Sequence, residues 1–487
     1  MSLIFEVGLL SGKTVSLQTH VGESVESLRA RAQRALGVGK GRLVDSSGRV
    51  LDGGAPLKEA TLNAERLMLQ VRGVEIQRAS RGFAAILGDG SVVAWPKREV
   101  PDDLRDAQQI QATHDVLEQA FAAVLLDGSI FTWGPPAFGG NSTAVQDQLQ
   151  NVQQIQATRY AFAAILGDGS VVTWGDVGSG GNSTAVQDQL QNVQQIQATD
   201  EAFAAILGDG SVVTWGDVGS GGDSSAVRDQ LKNVQQIQAT KGAFAAILGD
   251  GSVVTWGRPG SGGNSTAVQD QLQNVQQIQA TRYAFAAILG DGSVVTWGHA
   301  GSGGDISAVR GQLNNVHQVQ ATHAAFAAIL EDGSVVAWGH AGMGGDSSVV
   351  RGQLQNVRQI QATNGAFAAI LGGGSVVTWG RLSMGGDSSA VWLKNVEQIQ
   401  ATWYAFAAIL GDGSVVTWGN AGMGGDSSAV RGQLQNVEQI QATNGAFAAI
   451  LGDGSVVTWG DASFGGESSA VRDQLNCSHD HEAKQFD

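Results

Sequence analysis

Ten tryptophans recur through this chain at an almost constant interval, and that interval limits the fold more than any other feature. Trp95, Trp133, Trp174, Trp215, Trp256, Trp297, Trp338, Trp379, Trp418 and Trp459 each close a segment of the form SVVTWG. Their successive separations are 38, 41, 41, 41, 41, 41, 41, 39 and 41 residues. A unit repeated with so little change in length is one structural module that buries its faces against its own copies. At 487 residues the chain is also too long for one ordinary core.

The copy from Val193 to Val234 represents the rest. Gln195–Thr199 alternates polar and apolar residues and predicts a half-buried strand. Ala202–Leu207 (AFAAIL), the turn Gly208-Asp209-Gly210 and Ser211–Trp215 (SVVTW) together predict a β-hairpin, since Asp-Gly supplies the positive φ that a tight turn needs. A helix through AFAAIL is disfavoured because the run is short and ends at Gly-Asp-Gly. Both hairpin arms are apolar on both faces, as in strands sandwiched between neighbours. After Trp215-Gly216 comes a Gly-rich stretch and then AVRDQLKNV, where Val227, Leu231 and Val234 fall at i, i+4 and i+7. That spacing predicts one or two helical turns before the next strand. The high glycine count, 69, fits many tight turns.

The pattern QAT-xx-AFAAIL-xDGSVVTWG-x4-GG resembles the repeat of the regulator of chromosome condensation family, a β-propeller family. The DG…WG core matches in nearly every copy over residues 74 to about 475. Two departures recur: Thr199 stands where the family usually has Gly, and Ala202 where it has His. The family's Gly-Gln-Leu-Gly tail is replaced by GGDSS or GGNST. The compact period also resembles the propeller-type bacterial β-lactamase inhibitor protein. The resemblance implies a propeller-like array. The family usually closes with seven blades, so ten repeats leave open an unusually wide ring, a closed ring with extra repeats or an open superhelix.

Residues 2–73 resemble ubiquitin along their whole length. A strand over Ile4–Leu9 turns through Ser11-Gly12-Lys13 into a second over Thr14–Thr19. Ser24 is placed to cap a helix with Val25, Leu28, Ala32 and Leu36 on one face. Arg42–Val44, RVLDG, LKEATL and a closing strand Leu67–Val71 follow in the ubiquitin order. The fold class is therefore mostly β: a β-grasp (ubiquitin-like) domain over 1–73, a propeller-like array of about ten three-stranded repeats over 74–475, and a polar tail over 476–487. Arg72-Gly73 runs on into Val74, so conjugation through a terminal diglycine is not expected. The positions matching ubiquitin's apolar recognition patch are Leu10, Val44 and Gln70, with Met68 beside them. Such a patch suits docking to ubiquitin-binding helices.

Charge divides unevenly. Residues 1–73 hold ten Lys/Arg against seven Asp/Glu, leaving 19 against 38 for the remainder and a net of −16 overall. An acidic array repels phosphate backbones, so no nucleic-acid partner is expected. No apolar run approaches the roughly 18 residues of a membrane helix. The start lacks a basic segment followed by an apolar one, so no secretory signal is expected. The single cysteine excludes an internal disulfide framework. These features point to a cytoplasmic or nuclear protein with no membrane partner.

No residue set demands catalysis or a cofactor. The repeated GDG and GGDSS segments read as turns, because calcium-binding nonapeptides repeat every nine residues or so rather than every 41. Cys477, His479 and His481 crowd too closely for a structural zinc site and lack a fourth ligand. The chain ends about 28 residues after Trp459, too soon for a ligase lobe behind the repeats. No metal, cofactor or enzymatic activity is expected.

The copies differ from one another mainly at the dipeptide between QAT and AFAAIL and in the loop after Trp-Gly. Antiparallel strands put both on one rim and the GDG turns on the other. Arg159-Tyr160, Arg282-Tyr283 and Trp403-Tyr404 stand out there, since Tyr, Trp and Arg most often anchor interfaces. The expected function is a non-enzymatic adaptor or scaffold of the ubiquitin system. Its ubiquitin-like domain would dock ubiquitin receptors, the proteasome or ubiquitin-ligase components through Leu10, Val44 and Met68, while the repeat rim holds a second protein. The alternatives are guanine-nucleotide exchange on a small GTPase, protein inhibition of the β-lactamase-inhibitor kind, and an amplified array with no dedicated partner.

Overall fold

A computed structural model describes every residue except 1, 21, 37, 39–40, 61–65, 72, 97–99, 101–103, 114–117 and 476–487. The CSHDH motif at 477–481 lies outside the described residues.

At the N-terminus, β1 (Ser2–Gly8), β2 (Thr14–His20), β3 (Gly41–Val44) and β4 (Arg66–Val71) form one sheet in the order β2-β1-β4-β3. β1 pairs parallel with β4 and antiparallel with β2. Helix α1 (Val25–Leu36) covers one face, burying Val25, Leu28, Ala32 and Leu36 against Phe5, Val7, Leu43, Leu67 and Leu69. This is the β-grasp arrangement, and its core draws only on residues of this segment. Strand alternation then turns Ile4, Val44, Met68 and Gln70 to the opposite face.

The repeats form ten three-stranded antiparallel sheets, each built from consecutive strands. Blade 4 is typical, with an inner strand Val193–Ala198, a middle strand Ala202–Leu207 and an outer strand Val212–Gly216. Gly210, at φ 77°, closes the hairpin. A Cβ there would sit 2.7 Å from Cα of Asn233 in the next blade, so the close approach of blades also requires glycine. Asp209 Oδ1 accepts from the N–H and hydroxyl of Ser211 at 2.9 and 2.6 Å, which ties the carboxylate into the turn. The expected helical turn forms as a 3-10 turn over Ser225–Val227 here, as a six-residue 3-10 helix over Thr184–Gln189 in blade 3 and as an α-helical turn over Arg472–Leu475 in blade 10. Segments so short cannot repay helix nucleation by themselves, and the job of this one is to insert Leu231 between blades, where it is 2% exposed.

Blades stack by an unequal pairing of faces. Ala161, Ala163 and Ile165 of blade 3 meet Phe203, Ala205 and Trp215 of blade 4. The alanine face is flat enough for sheets to approach, and the stacked Phe203–Trp215 pair, 5.2 Å between centroids, fills the gap. A polar link repeats alongside, as the indole of Trp215 donates to the carbonyl of Gly180 in the preceding blade at 3.0 Å. Gly180 has φ 95°, and a Cβ would lie 2.6 Å from Phe203 Cδ2.

The same contacts join the tenth blade to the first. Ala446, Ala448 and Ile450 pack on Phe83, Ala85 and Trp95, and Leu475 occupies the place that Leu231 takes elsewhere. The N–H of Asn444 donates to the carbonyl of Ser80 at 3.1 Å. No sheet closes on itself; the array closes as a ring through packing of blade 10 on blade 1. Of the architectures left open by the sequence, a closed ring, not an open superhelix, is the one formed.

Candidate binding surfaces

The dipeptide between inner and middle strands is organised by the threonine before it. Thr199, 5% exposed, accepts from the N–H of Ala202 at 3.0 Å and donates to the carbonyl of Ser220 at 3.0 Å. It thereby fixes the dipeptide beside the loop after Trp-Gly, on the rim away from the GDG turns. Thr158, Thr240, Thr281, Thr322, Thr363, Thr402 and Thr443 repeat the arrangement.

Backbone bonds then link the first dipeptide residues of successive blades. The N–H of Arg159 donates to Asp200, Asp200 to Lys241, Lys241 to Arg282, Arg282 to His323, and so on through Asn364, Trp403 and Asn444 to Ser80, all at 2.9–3.1 Å. These residues surround the mouth of a central cavity of about 1130 Å³ lined by the inner strands. The second dipeptide residues sit outside this circle, under the loops after Trp-Gly. Arg159, Tyr160, Arg282, Tyr283, Trp403 and Tyr404 are all half-buried, not the exposed turn residues that the sequence suggests. The cause is the ring itself, which turns each first residue inward toward its neighbours. Arg159 lies over Tyr160 at 5.3 Å and Arg282 over Tyr283 at 5.8 Å, while Trp403 and Tyr404 meet edge-on at 6.5 Å.

The electrostatics of the mouth differ from those of the rim around it. Asp200 Oδ2 lies 3.9 Å from both Arg159 Nη1 and Lys241 Nζ. Burial pushes the Asp200 carboxyl above its ordinary value, against the pull of Arg282, Arg159 and Lys241. Arg282 Nη1 lies 2.9 Å from His323 Nε2. Burial pulls the His323 imidazole down, and Arg282 and Lys241 pull it further. A neutral imidazole accepting from the guanidinium fits both facts. Outside this circle a depression of about 670 Å³ is lined by Phe138 and Tyr160, whose rings are 5.1 Å apart, and by Glu118, Asp176, Glu201 and Asp217. A cationic mouth thus adjoins an acidic groove.

On the N-terminal domain, Leu10 is 84% exposed and Ile4 67% exposed. Val44 and Met68 are cross-strand partners and half-buried, while Gln70 pairs with Arg42. Arg42 does not face solvent. Its Nη2 lies 2.8 Å from Asp106 Oδ1 and its Nε donates to the carbonyl of Asp89 at 3.1 Å. Arg29, from α1, adds a 2.8 Å pair to Asp89 Oδ2, with both side chains largely buried. Asp89 belongs to the GDG turn of blade 1, so the domain seats on the rim opposite the variable dipeptides. Burial opposes the Arg29 charge, but hydrogen bonding to Asp89 and Glu26 outweighs it and holds the guanidinium above its usual value.

Sequence reasoning overlooked this seat, and it overlooked Arg78. Arg78 lines the central cavity at a position where the other nine repeats carry alanine. That single departure was the available signal.

No protein-family model matches the chain, and no curated protein matches it. Among solved structures, a computationally designed protein, Ika8, is similar over 63% of this chain and 96% of its own, at 14% identity and a TM-score of 0.30. Prp20p from Saccharomyces cerevisiae, described with its binding to Gsp1p and histones, is similar over 57% of this chain and 73% of its own, at 17% identity and a TM-score of 0.29. Human WBSCR16 is similar over 70% and 83%, at 14% identity and a TM-score of 0.29. With likeness this distant, the architecture rests on the chain's own sheets and seams.

Proposed function

We propose that this protein is a non-enzymatic adaptor of the ubiquitin system, working in the cytoplasm or nucleus. The N-terminal domain, read as ubiquitin-like, docks ubiquitin receptors, the proteasome or ubiquitin-ligase components, and the dipeptide rim of the ring holds a second protein. One observation carries the reading: the domain is tethered to blade 1 through Arg29 and Arg42, while Leu10 stays 84% exposed and Val44 and Met68, beside Arg42 on the same sheet face, stay half-buried. A tethered domain that still presents exposed apolar surface at Leu10 suits a connector between two partners. The carboxylates beside Tyr160 favour a basic segment in the second partner.

The test is affinity capture with the full chain in three forms: unaltered, Leu10→Ala/Val44→Ala/Met68→Ala, and Tyr160→Ala/Tyr283→Ala/Tyr404→Ala. The first triple variant loses ubiquitin receptors and the second loses the other partner. Retention of both sets by both variants overturns the adaptor reading. Acceleration of nucleotide release across a panel of small GTPases replaces it with the exchange-factor alternative.

A further inference from the structure

We propose that the mouth of the central cavity binds a small multivalent anion, one bearing phosphate or carboxylate groups. The repeats and tail carry 19 Lys/Arg against 38 Asp/Glu. Among the described residues that line the cavity this ratio is reversed. Arg78, Arg159, Lys241 and Arg282 face a single carboxylate, Asp200. A reversal of the molecule's charge balance in its central cavity is not what solvation of an acidic ring requires.

Geometry adds to the composition. Arg159, Lys241 and Arg282 come from blades 3, 5 and 6 and project from a run of backbone bonds from blade 3 round to blade 1, so their spacing is built into the ring. Asp200 touches two of these cations, each at 3.9 Å, longer than a charged hydrogen bond. Arg282 spends one N–H on an imidazole, which carries no negative charge to offset the guanidinium. A ligand with two or more anionic groups satisfies several of these donors at once, and guanidinium groups hold phosphate or carboxylate oxygens in pairs. Across the mouth, Trp403, Asn364 and Asn444 offer an aromatic edge and amide groups to the uncharged part of such a ligand. At about 1130 Å³ the cavity admits a molecule of metabolite size and excludes a folded protein.

Calorimetric titration of the full chain with tripolyphosphate and, separately, with citrate tests this. At least one of them binds, with affinity that falls as sodium chloride is raised. Lys241→Gln and Arg78→Ala each weaken that binding by about tenfold or less, the range expected for one ion pair in a partly screened site. Arg78→Ala installs the residue of the other nine repeats, so its fold is not in question. Arg351→Gln, on an exposed connector where Arg351 bonds to Gln312, leaves binding unchanged. Preference for one probe identifies the anionic group as phosphate or carboxylate. Failure of both probes at millimolar concentration overturns the proposal, as does unaltered binding by both mouth variants. These outcomes are independent of partner capture by the patch and rim.

Discussion

Trp95 of the first blade donates its indole N–H to the carbonyl of Gly465, 370 residues later in the chain, at 3.0 Å. The bond is the one that Trp215 makes to Gly180 at every ordinary seam, here made between the two ends of the array. The connector after the last outer strand therefore does for blade 1 what each earlier connector does for the blade that follows it.

Closure consequently depends on residues 461–475. Leu475→Ala removes a side chain 4% exposed at the closing seam and should cost about 2–5 kcal/mol. Chemical denaturation reads this directly. Deleting 461–487 should be worse, exposing Phe83 and Trp95 and driving association between copies, visible by analytical ultracentrifugation. A truncated chain that stays monomeric and equally stable contradicts the closed ring.

Trp133 differs from its counterparts. Blade 1 carries Pro96 where the other repeats have glycine after tryptophan, and the indole N–H of Trp133 is buried without a hydrogen-bond partner. Trp133→Phe should therefore destabilise less than Trp215→Phe, by about 1 kcal/mol, because only the second also strands the Gly180 carbonyl. Equal losses would show that the indole bond contributes nothing.

Thr199→Val keeps the shape of a buried residue and removes its hydroxyl, leaving the N–H of Ala202 and the carbonyl of Ser220 without that partner. A loss of about 1–3 kcal/mol is expected, with faster amide exchange at Ala202. Thr199→Ser, which retains the bonds, should fall well short of that loss.

The seat of the N-terminal domain rests on Asp89. Repeat 8 has Gly373 in place of the turn aspartate, so such a turn forms without a carboxylate. Asp89→Asn should therefore leave blade 1 intact while weakening the pair with Arg29. Small-angle scattering should show a larger radius of gyration for the variant, and high salt should move the unaltered protein the same way. No change in either measurement would mean that the ion pairs do not hold the domain.

Acid stability should follow the turn carboxylates. Asp127, Asp168, Asp209, Asp250, Asp291, Asp332 and Asp412 all lie below their ordinary value, first because a serine hydroxyl two residues on donates to each. A depressed folded-state value means that the unfolded chain takes up more protons in acid. Their contribution is thus complete above the ordinary value of 3.8 and is lost as pH falls through the lower folded values. The melting temperature should be level near neutrality and fall below about pH 4. Replacing the seven serines with alanine should flatten that fall.

Much of the ring was legible in the sequence because its causes are local. Alternation in QIQAT, the apolar arms of the hairpin, and glycine where φ must be positive are properties of a few adjacent residues, and ten copies state them repeatedly. The rim shared by the dipeptide and the loop after Trp-Gly also follows from antiparallel pairing alone. The helical turn expected in the connector is present, but as 3-10 turns such as Ser225–Val227 and Thr184–Gln189, because the burial of Leu231 and its counterparts between blades sets the path.

What the sequence determined by itself was the module, its strand order and the faces it must bury. Closure at ten blades was decided only by tertiary structure, because it depends on a small angle between sheets summed around the whole array. The inward turn of Arg159, Lys241 and Arg282 is likewise a property of the circle, since a dipeptide in an isolated hairpin has no centre to face. The seat of Arg29 and Arg42 on Asp89 arises from the same cause: groups 60 and 47 residues apart, the Asp89 carboxylate for Arg29 and its backbone carbonyl for Arg42, meet through the placement of two folded units, which no local pattern encodes.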